Sequence, residues 1–420
     1  MNKYIKKLNT NIFIAKTLWK NGSKNGLGNT SSIIAGISVA VSMIVMLLAI
    51  AISDGFKYEI REKAIGFSGG IVLNSPGIEV TTYQYPIVSD LSYMADIKKI
   101  KGIKSVQPYA CRSGIIKSGD EIQGVLLKGV GPGYSWDFFK KSIVAGKLPD
   151  YSDTSSVKEI LLSSRLSKMM GIKVGEPVQV YFVGDLVKAR KFILAGIYDA
   201  QLEEIDKTFV IANISEIQKL NEWESNEVSG IEIIPENHEK IKETARSIEN
   251  IISDKSKERD PSVAVLTAND LYPHLFDWLQ LLDFNVLVVL ILMITVAGFN
   301  MISGLLIILF EKISMIGLLK SLGMRDAGIH RIFLYRAMMI ILRGMLLGNI
   351  IAFILLAMQQ RFRIISLDPE NYFVKYVPVY IDWFKIITLN LSAFLLIILL
   401  LYIPSRFISG ISPDKSLRIK

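Results

Sequence analysis

The sequence predicts a membrane protein with four transmembrane α-helices and a large α+β extracytoplasmic domain, porter-like with an inserted subdomain. Three observations predict it. Residues 33–52, 284–310, 344–360 and 386–405 carry no charged side chain. A helix needs about 20 apolar residues to cross the hydrocarbon of a bilayer. Residues 54–283 instead hold 28 basic and 33 acidic residues with no apolar span. The short segments beside the spans are basic: six lysines and no acid in residues 1–29, and five Lys/Arg in 311–336. Such loops stay cytoplasmic, which places both termini inside and residues 54–283 outside.

The elements follow in chain order. Residues 1–29 read as a cytoplasmic amphipathic helix, with Leu8, Ile12, Ala15 and Trp19 on one face and lysines elsewhere. Such a helix lies along the membrane surface. The first span covers 30–53. It is too long, and starts too late, for the 7–15-residue apolar region of a secretory signal. The extracytoplasmic domain covers 54–278. Strands are expected at 71–74, 106–109, 114–117 and 125–130, with a helix at 90–101 capped by Ser89 or Asp90. A second block has a strand at 230–234, a helix at 236–253 and a strand at 263–266. These porter-like blocks (54–130 and 229–278) flank an inserted subdomain, 131–228, with a helix at 163–170 and strands at 177–183 and 191–198. Gly129 to Gly133 reads as a turn at the boundary. The second span covers 279–310, and its apolar run is long enough to tilt or extend beyond the bilayer. Residues 327–359 form the third span, 360–380 an outer loop, 381–404 the fourth span and 405–420 a cytoplasmic tail.

Composition excludes several functions. Cys111 is the only cysteine, so neither an intrachain disulfide nor a thiolate zinc cluster can form. His238, His274 and His330 lie far apart, and no metal is expected. No Ser/His/Asp or Cys/His set is visible, so the chain is expected not to be an enzyme. The net charge of +9 is carried by the segments beside the spans, which argues for topology and against nucleic-acid binding. In the spans, Asn285, Asn300, Asn349 and Asn390 are expected to bond neighbouring helices. Gly344/Gly348 and Gly36/Ala40 have the small-xxx-small spacing of close helix packing.

The most informative segment is 311–324, EKISMIGLLKSLGM. Ile313, Ile316, Leu319 and Leu322 recur at helical spacing, Glu311 and Lys320 suit the helix dipole, and Gly323 reads as a C-cap. No breaker separates it from the second span. Its apolar face needs a burial partner, expected in another chain or at the membrane surface.

This run, with Phe299 to Ile302 before it, closely resembles the lipoprotein-releasing ABC permeases (LolC/LolE type). More broadly it resembles the FtsX-like/MacB superfamily of cell-division and macrolide-exporter permeases. Further resemblance lies at Ser53 to Phe56, Gly171 to Glu176, Phe192 to Tyr198 and Ile403 to Arg406, and it covers essentially the whole chain. The resemblance implies a permease that pairs with a second permease and a cytoplasmic ATPase dimer. ATP and Mg are then bound by that partner. The chain has no G-x-x-x-x-G-K-[ST], since Gly410 to Ser416 has the wrong spacing. The implied ATPase-coupling residues are Glu311, Ile313, Met315, Ile316, Gly317, Leu318, Leu319, Lys320, Leu322 and Gly323, with Met315 to Leu319 as the docking tip. The implied function is extraction of lipoproteins from the outer leaflet of the bacterial inner membrane for a periplasmic carrier. Acyl chains would enter between spans one and two, past Ser42, Met43, Met46, Asn285, Val289 and Met293. One departure stands out: residues 183–190 are much shorter than the loop by which lipoprotein-releasing relatives hook the carrier. A MacB-like efflux permease and an FtsX-like activator of cell-wall hydrolases remain the alternatives.

Overall fold

The structure is a computed structural model that describes residues 27–76, 85–153, 157–183, 187–256 and 260–405. The amphipathic segment expected before residue 27 and the tail after 405 lie outside the described residues. The chain divides into two compact units. The first, a membrane unit, takes in residues to Phe56, Gln280–Ile365 and Tyr376 onward. The second, a sheet unit, takes in Lys57–Leu279 and Ser366–Lys375.

Among the described residues four helices are long and apolar enough to cross a membrane, in Leu27–Ser68, Pro273–Glu311, Asp326–Phe362 and Trp383–Ser405. The first three run 37 to 42 residues. At 1.5 Å per residue that is about 55–63 Å, well beyond the ~30 Å hydrocarbon layer. Hydropathy marks only the part of each helix that meets lipid.

Small residues set the packing of the membrane unit. A Cβ on Gly344 would stand 2.6 Å from the Gly36 carbonyl oxygen, and one on Gly348 would stand 2.6 Å from that of Ala40. Helices one and three therefore touch backbone to backbone, as the paired small-xxx-small spacings lead one to expect. Amides bond across helices too. Asn300 Nδ2 donates to Ser38 Oγ at 2.6 Å, and Asn349 Nδ2 donates to Asn390 Oδ1 at 2.7 Å. The core that results includes Val39, Met43, Met46, Leu305, Phe333, Ile341 and Ile397.

In the sheet unit the strands, in chain order, are β1 (Ile71–Asn74), β2 (Ile87–Val88), β3 (Ile103–Ser118), β4 (Glu121–Val130), β5 (Ile143–Gly146), β6 (Glu159–Ser163), β7 (Pro177–Phe182), β8 (Lys188–Tyr198), β9 (Phe209–Asn213), β10 (Glu227–Val228), β11 (Gly230–Pro235) and β12 (Ala264–Thr267). Ten of them form one sheet in the order β12-β1-β11-β3-β4-β9-β6-β8-β5, and β7 bridges β3 and β8. The β7 pairings close β3-β4-β9-β6-β8-β7 into a ring. A buried cluster including Ile116, Leu127, Leu162, Val180, Phe192 and Val210 fills it. At the other end, β11, β1 and β12 extend β3 as an open antiparallel sheet.

This corrects the expected subdomain boundary. The ring does not begin at residue 131; it takes β3 and β4 from the flanking block, so both parts share two strands. β3 is one strand of 16 residues rather than two. Its ladder with β4 runs unbroken from Tyr109↔Val130 to Ser118↔Glu121, through Gly114 and on the other side Gly129. The helix expected at 90–101 shrinks to Met94–Ile97, without a side-chain cap. The reason is long-range pairing: Ile87 and Val88 bridge β10, and the Ser89 N–H donates to the Asn226 carbonyl at 2.8 Å. Elsewhere local signals hold. Ser163 caps the helix Ser164–Met170 by accepting from the Leu166 N–H, and Gly171 ends it at φ +65°. The helix expected at 236–253 begins with a 3-10 turn, His238–Lys240, and continues as Ile241–Lys255.

Candidate functional site

The expected coupling segment folds as a separate helix, Ile313–Ser321. A break does precede it: Lys312 adopts φ −101° and ψ 18°, which ends the second span at Glu311. At the far end Gly323 takes φ +83°, and the Met324 N–H donates to the Leu319 carbonyl at 3.0 Å. Glycine adopts that left-handed conformation without steric cost. Lys320 Nζ lies 2.9 Å from Asp326 Oδ1, which ties the end of this helix to the start of the third span.

The burial of this helix differs from the sequence expectation. Ile316 is fully buried in the membrane unit's own core, and Gly317 is buried beside it. Met315, Leu319 and Met324 pack half-buried against the same core. The stripe Ile313, Ile316, Leu319 and Leu322 is therefore not one outward face, and Gly317 is not at a free tip. Outward instead lie Glu311, Ser314, Leu318, Ser321 and Leu322, spaced as one helical face. Leu318 is 54% and Leu322 75% exposed. A tryptophan at Gly317 would disturb this unit's own core before it met any partner.

The residues expected beside an entering acyl chain are not brought into an open site. Ser42, Met43 and Met46 are buried inside the bundle. A Cβ on Gly348 would stand 2.8 Å from the Met43 Cβ, so the third helix covers that position. Val289 and Met293 are half-buried, Met293 against the core, while Asn285 is exposed. Turned outward on the first helix are Ile33, Ile34, Ile37 and Val41. Periodicity could not phase this helix, because it is apolar on every side.

Sequence reading missed what the Ser53 to Phe56 run does. Lys385 Nζ donates to both oxygens of Asp54 at 2.8 Å, and the Asp54 side chain is 8% exposed. A Cβ on Gly55 would stand 2.4 Å from the Pro378 carbonyl oxygen, and the Tyr380 N–H donates to the Ala51 carbonyl at 3.0 Å. The run is a seat for the chain entering the fourth span. An acid and a glycine at the end of an apolar span were the available signal.

In the sheet unit a charged pair lies fully enclosed. Lys128 Nζ stands 2.5 Å from Glu232 Oε1, with both side chains 3% exposed. Gln107 donates to the other Glu232 oxygen at 3.1 Å and accepts from the Ser135 N–H at 3.0 Å. Lys128 also donates to the Phe67 carbonyl and stands 4.7 Å from the Phe67 ring centroid. Burial holds the Tyr109 and Tyr134 hydroxyls well above the ordinary tyrosine range and pushes the Cys111 thiol up to about 12. These groups stay protonated at neutral pH. Sequence reading did not single out Lys128 or Glu232. Among the described residues no cluster could hold a metal ion.

Known proteins match over both units. The MacB-like periplasmic core domain family model matches residues 30–251, more than half of the chain, and the FtsX-like permease C-terminal model matches 287–413. The lipoprotein-releasing system transmembrane protein LolC of Xylella fastidiosa (strain 9a5c) is 22% identical, covering 94% of this chain and 95% of its own. LolC of Neisseria meningitidis serogroup B is 25% identical, over 92% of each. The lipoprotein-releasing system transmembrane protein LolE of Haemophilus influenzae is 20% identical over 98% of this chain and 99% of its own. These matches agree with the resemblance carried by residues 299–324.

Proposed function

We infer that this chain, which belongs to the family defined by the MacB-like periplasmic core and the FtsX-like permease C-terminal domain, is the permease subunit of an ATP-driven complex that releases lipoproteins from a bacterial inner membrane. The observation that carries the reading is length. Relatives named for lipoprotein release align over 92% to 98% of the chain, spans and sheet unit together. In this reading both termini are cytoplasmic, the sheet unit is periplasmic, and a second permease completes the complex. ATP and Mg are bound by a separate ATPase dimer, which seats on the outward face of Ile313–Ser321. Burying Leu318 and Leu322 there contributes about 1.5–3 kcal/mol each. Extraction has to overcome about 0.8 kcal/mol for every acyl methylene withdrawn from lipid, hence the need for ATP. The connection between β7 and β8 spans only 183–187, of which 184–186 lie outside the described residues. A long hook for a carrier is not part of this reading, and a carrier would dock elsewhere.

The test is purification of the tagged chain from its own cells, with mass spectrometry of the proteins and acylated cargo that come with it. An ATPase together with lipoproteins is the expected result. An ATPase with a periplasmic adaptor and outer-membrane duct would move the reading to efflux; a murein hydrolase would move it to cell-wall regulation. Leu318→Glu with Leu322→Glu should deplete the ATPase about tenfold or more and leave the chain inserted, because both side chains already face outward. Undiminished ATPase recovery would remove this helix face from the interface.

A further inference from the structure

The chain passes between its two units in two different ways. The crossings at Phe56 to Lys57 and at Leu279 to Gln280 lie inside the unbroken helices Leu27–Ser68 and Pro273–Glu311. Those at Ile365 to Ser366 and at Lys375 to Tyr376 lie in the connection between the third and fourth spans. Residues 366–375 belong to the sheet unit, although the chain on either side belongs to the membrane unit. An unbroken helix carries its connection in its own hydrogen bonds. Residues 366–375 stay in the sheet unit only by what they touch there.

They form a closed tongue. The Leu367 N–H donates to the Lys375 carbonyl at 2.9 Å, and the Phe373 N–H donates to the Pro369 carbonyl at 2.9 Å. Val374 is buried, and the Phe373 ring meets Trp278 edge to face with centroids 5.7 Å apart. Lys375 Nζ lies 2.8 Å from Asp199 Oδ2. Lys63, near the end of the first helix, makes the central contact. Its Nζ donates at 2.8 Å both to the Phe373 carbonyl and to Gln201 Oε1. Glu59, Asp199 and Asp206 lie within electrostatic reach of that ammonium, with Lys375 opposing them.

Gln201 and Phe373 share a second property. Gln201 has φ +57° and Phe373 φ +61°, and among the described residues Glu222 and Arg363 are the other non-glycine residues in the left-handed region. That region is strained for a side chain, most of all for a bulky one, and persists only where the surroundings enforce it. Here one ammonium holds both residues. Burial of Val374 and the ring contact favour docking, whereas the two strained backbones favour release. We propose that residues 366–375 are a releasable strap and that Lys63 is its catch, so that strap and seat let go together when the Lys63 contacts break. Docked, the strap fastens the connection between spans three and four to the sheet unit. Released, that fastening is gone, while the first and second helices still run unbroken into the sheet unit. The proposal does not depend on the reading of the chain as a lipoprotein-releasing permease.

Hydrogen exchange of the full chain in lipid nanodiscs, read by mass spectrometry, tests this. The reporting amides are Leu367, Tyr372 and Phe373 in the strap and Ala200 and Gln201 in the seat, each a hydrogen-bond donor when the strap is docked. A tongue this short does not hold its own turns once free. In the parent chain, peptides covering strap and seat should open with one common equilibrium constant, above that of β3 and β4. Lys63→Met should raise exchange in both by a common factor of about ten or more, as expected for hydrogen bonds from a charged donor. Peptides from β3 and β4 should not change. Lys375→Met removes only the partly exposed pair with Asp199 and should raise exchange about twofold. Strap and seat that open with unrelated constants would overturn the proposal. So would a larger effect from Lys375→Met than from Lys63→Met. Loss of β3 and β4 protection together with the strap would also overturn it, because Lys63 would then belong to the core of the sheet. The parent-chain comparison needs no variant, so a poorly folding substitution leaves the test intact. None of these outcomes bears on ATPase recovery.

Discussion

The spans of the membrane unit and the strands of the sheet unit both pair polar side chains, and they do so by different means. Along its spans the membrane unit joins short, uncharged groups across helices, Asn300 with Ser38 at an exposed position and Asn349 with Asn390 part-buried, and an ion pair, Asp54 with Lys385, lies where the apolar runs end. In the sheet unit the buried pair is an ion pair, Lys128 with Glu232, supported by an amide, a main-chain carbonyl and an aromatic face. The solvent of each unit accounts for the difference. A charge at the bilayer centre costs about 2.5–3.5 kcal/mol on insertion scales, whereas amide bonds between spans average only about 0.6 kcal/mol. A strand interior built from rings and carbonyls can surround a charge on all sides. Polar pairs between the spans are therefore minor adjustments to packing, while in the sheet neither member of the pair can be removed alone without stranding the other.

That contrast is easiest to break at Lys128. Lys128→Met leaves the Glu232 carboxylate buried without its cation, and breaking such a pair costs about 3–5 kcal/mol. Hydrogen exchange of the full chain should show peptides from β3, β4 and β11 losing protection, with the apolar helices unchanged. Adding Glu232→Leu should restore much of the loss, since an apolar replacement of the whole pair is often neutral. Unchanged protection in Lys128→Met would mean that the pair is incidental.

The matching perturbation in the membrane unit is steric. Gly348→Leu drives a side chain toward the Ala40 carbonyl, 2.6 Å from where its Cβ must stand. Overpacking of this kind costs about 1–3 kcal/mol. Exchange should rise in the first and third helices, and β3 and β4 should stay protected. Gly348→Ala should cost less but still register, because the obstacle is backbone and cannot rotate away. If Gly348→Leu exchanges like the parent chain, small residues do not set the helix packing.

The two units also differ in how far they could be read in advance. Hydropathy marked all four spans, and the spacing of Gly344, Gly348, Gly36 and Ala40 marked a real contact. Helices that are apolar all round carry no phase, so Ser42, Met43 and Met46 could be assigned to a lateral opening when they lie inside the core. In the sheet unit the helix at 163–170 was legible, and Ser163 and Gly171 bound it, whereas β6 and β9 were not expected. Ring closure was not legible, because it depends on β7 meeting both β3 and β8. Those pairings join residues more than sixty positions apart at Ile115↔Tyr181, and nothing local announces them. The coupling helix falls between these cases. Its existence was legible from Glu311 to Gly323, but which face it buries depends on the core formed around Ile316.

A smaller effect sharpens the contrast within the sheet unit itself, where a second buried carboxyl is held by main-chain donors, with the Lys63 ammonium only within electrostatic reach. Burial pushes the Asp206 carboxyl up to about 6, with Asp199 adding to it and main-chain donors at Ala200, Gln201 and Leu202 opposing it. Its pKa in the unfolded chain is near the ordinary 3.8. Between these values the folded chain holds the proton more tightly than the unfolded one. Stability from this group is then fully present below about pH 4 and is lost as pH rises through about 6. Two pKa units correspond to at most about 2–3 kcal/mol. Asp206→Asn keeps an oxygen for the Ala200 N–H, which Asp206 now accepts at 3.1 Å, and carries no charge. Its sheet unit should be the more stable one at pH 7, and its advantage should vanish near pH 4. Thermal unfolding of the full chain followed at β9 and β6 peptides across pH 4–7 measures this. A parallel pH slope in parent and variant would show that the Asp206 charge is already solvated in the fold. Lys128 and Glu232 would then be the sole test of how this sheet tolerates charge.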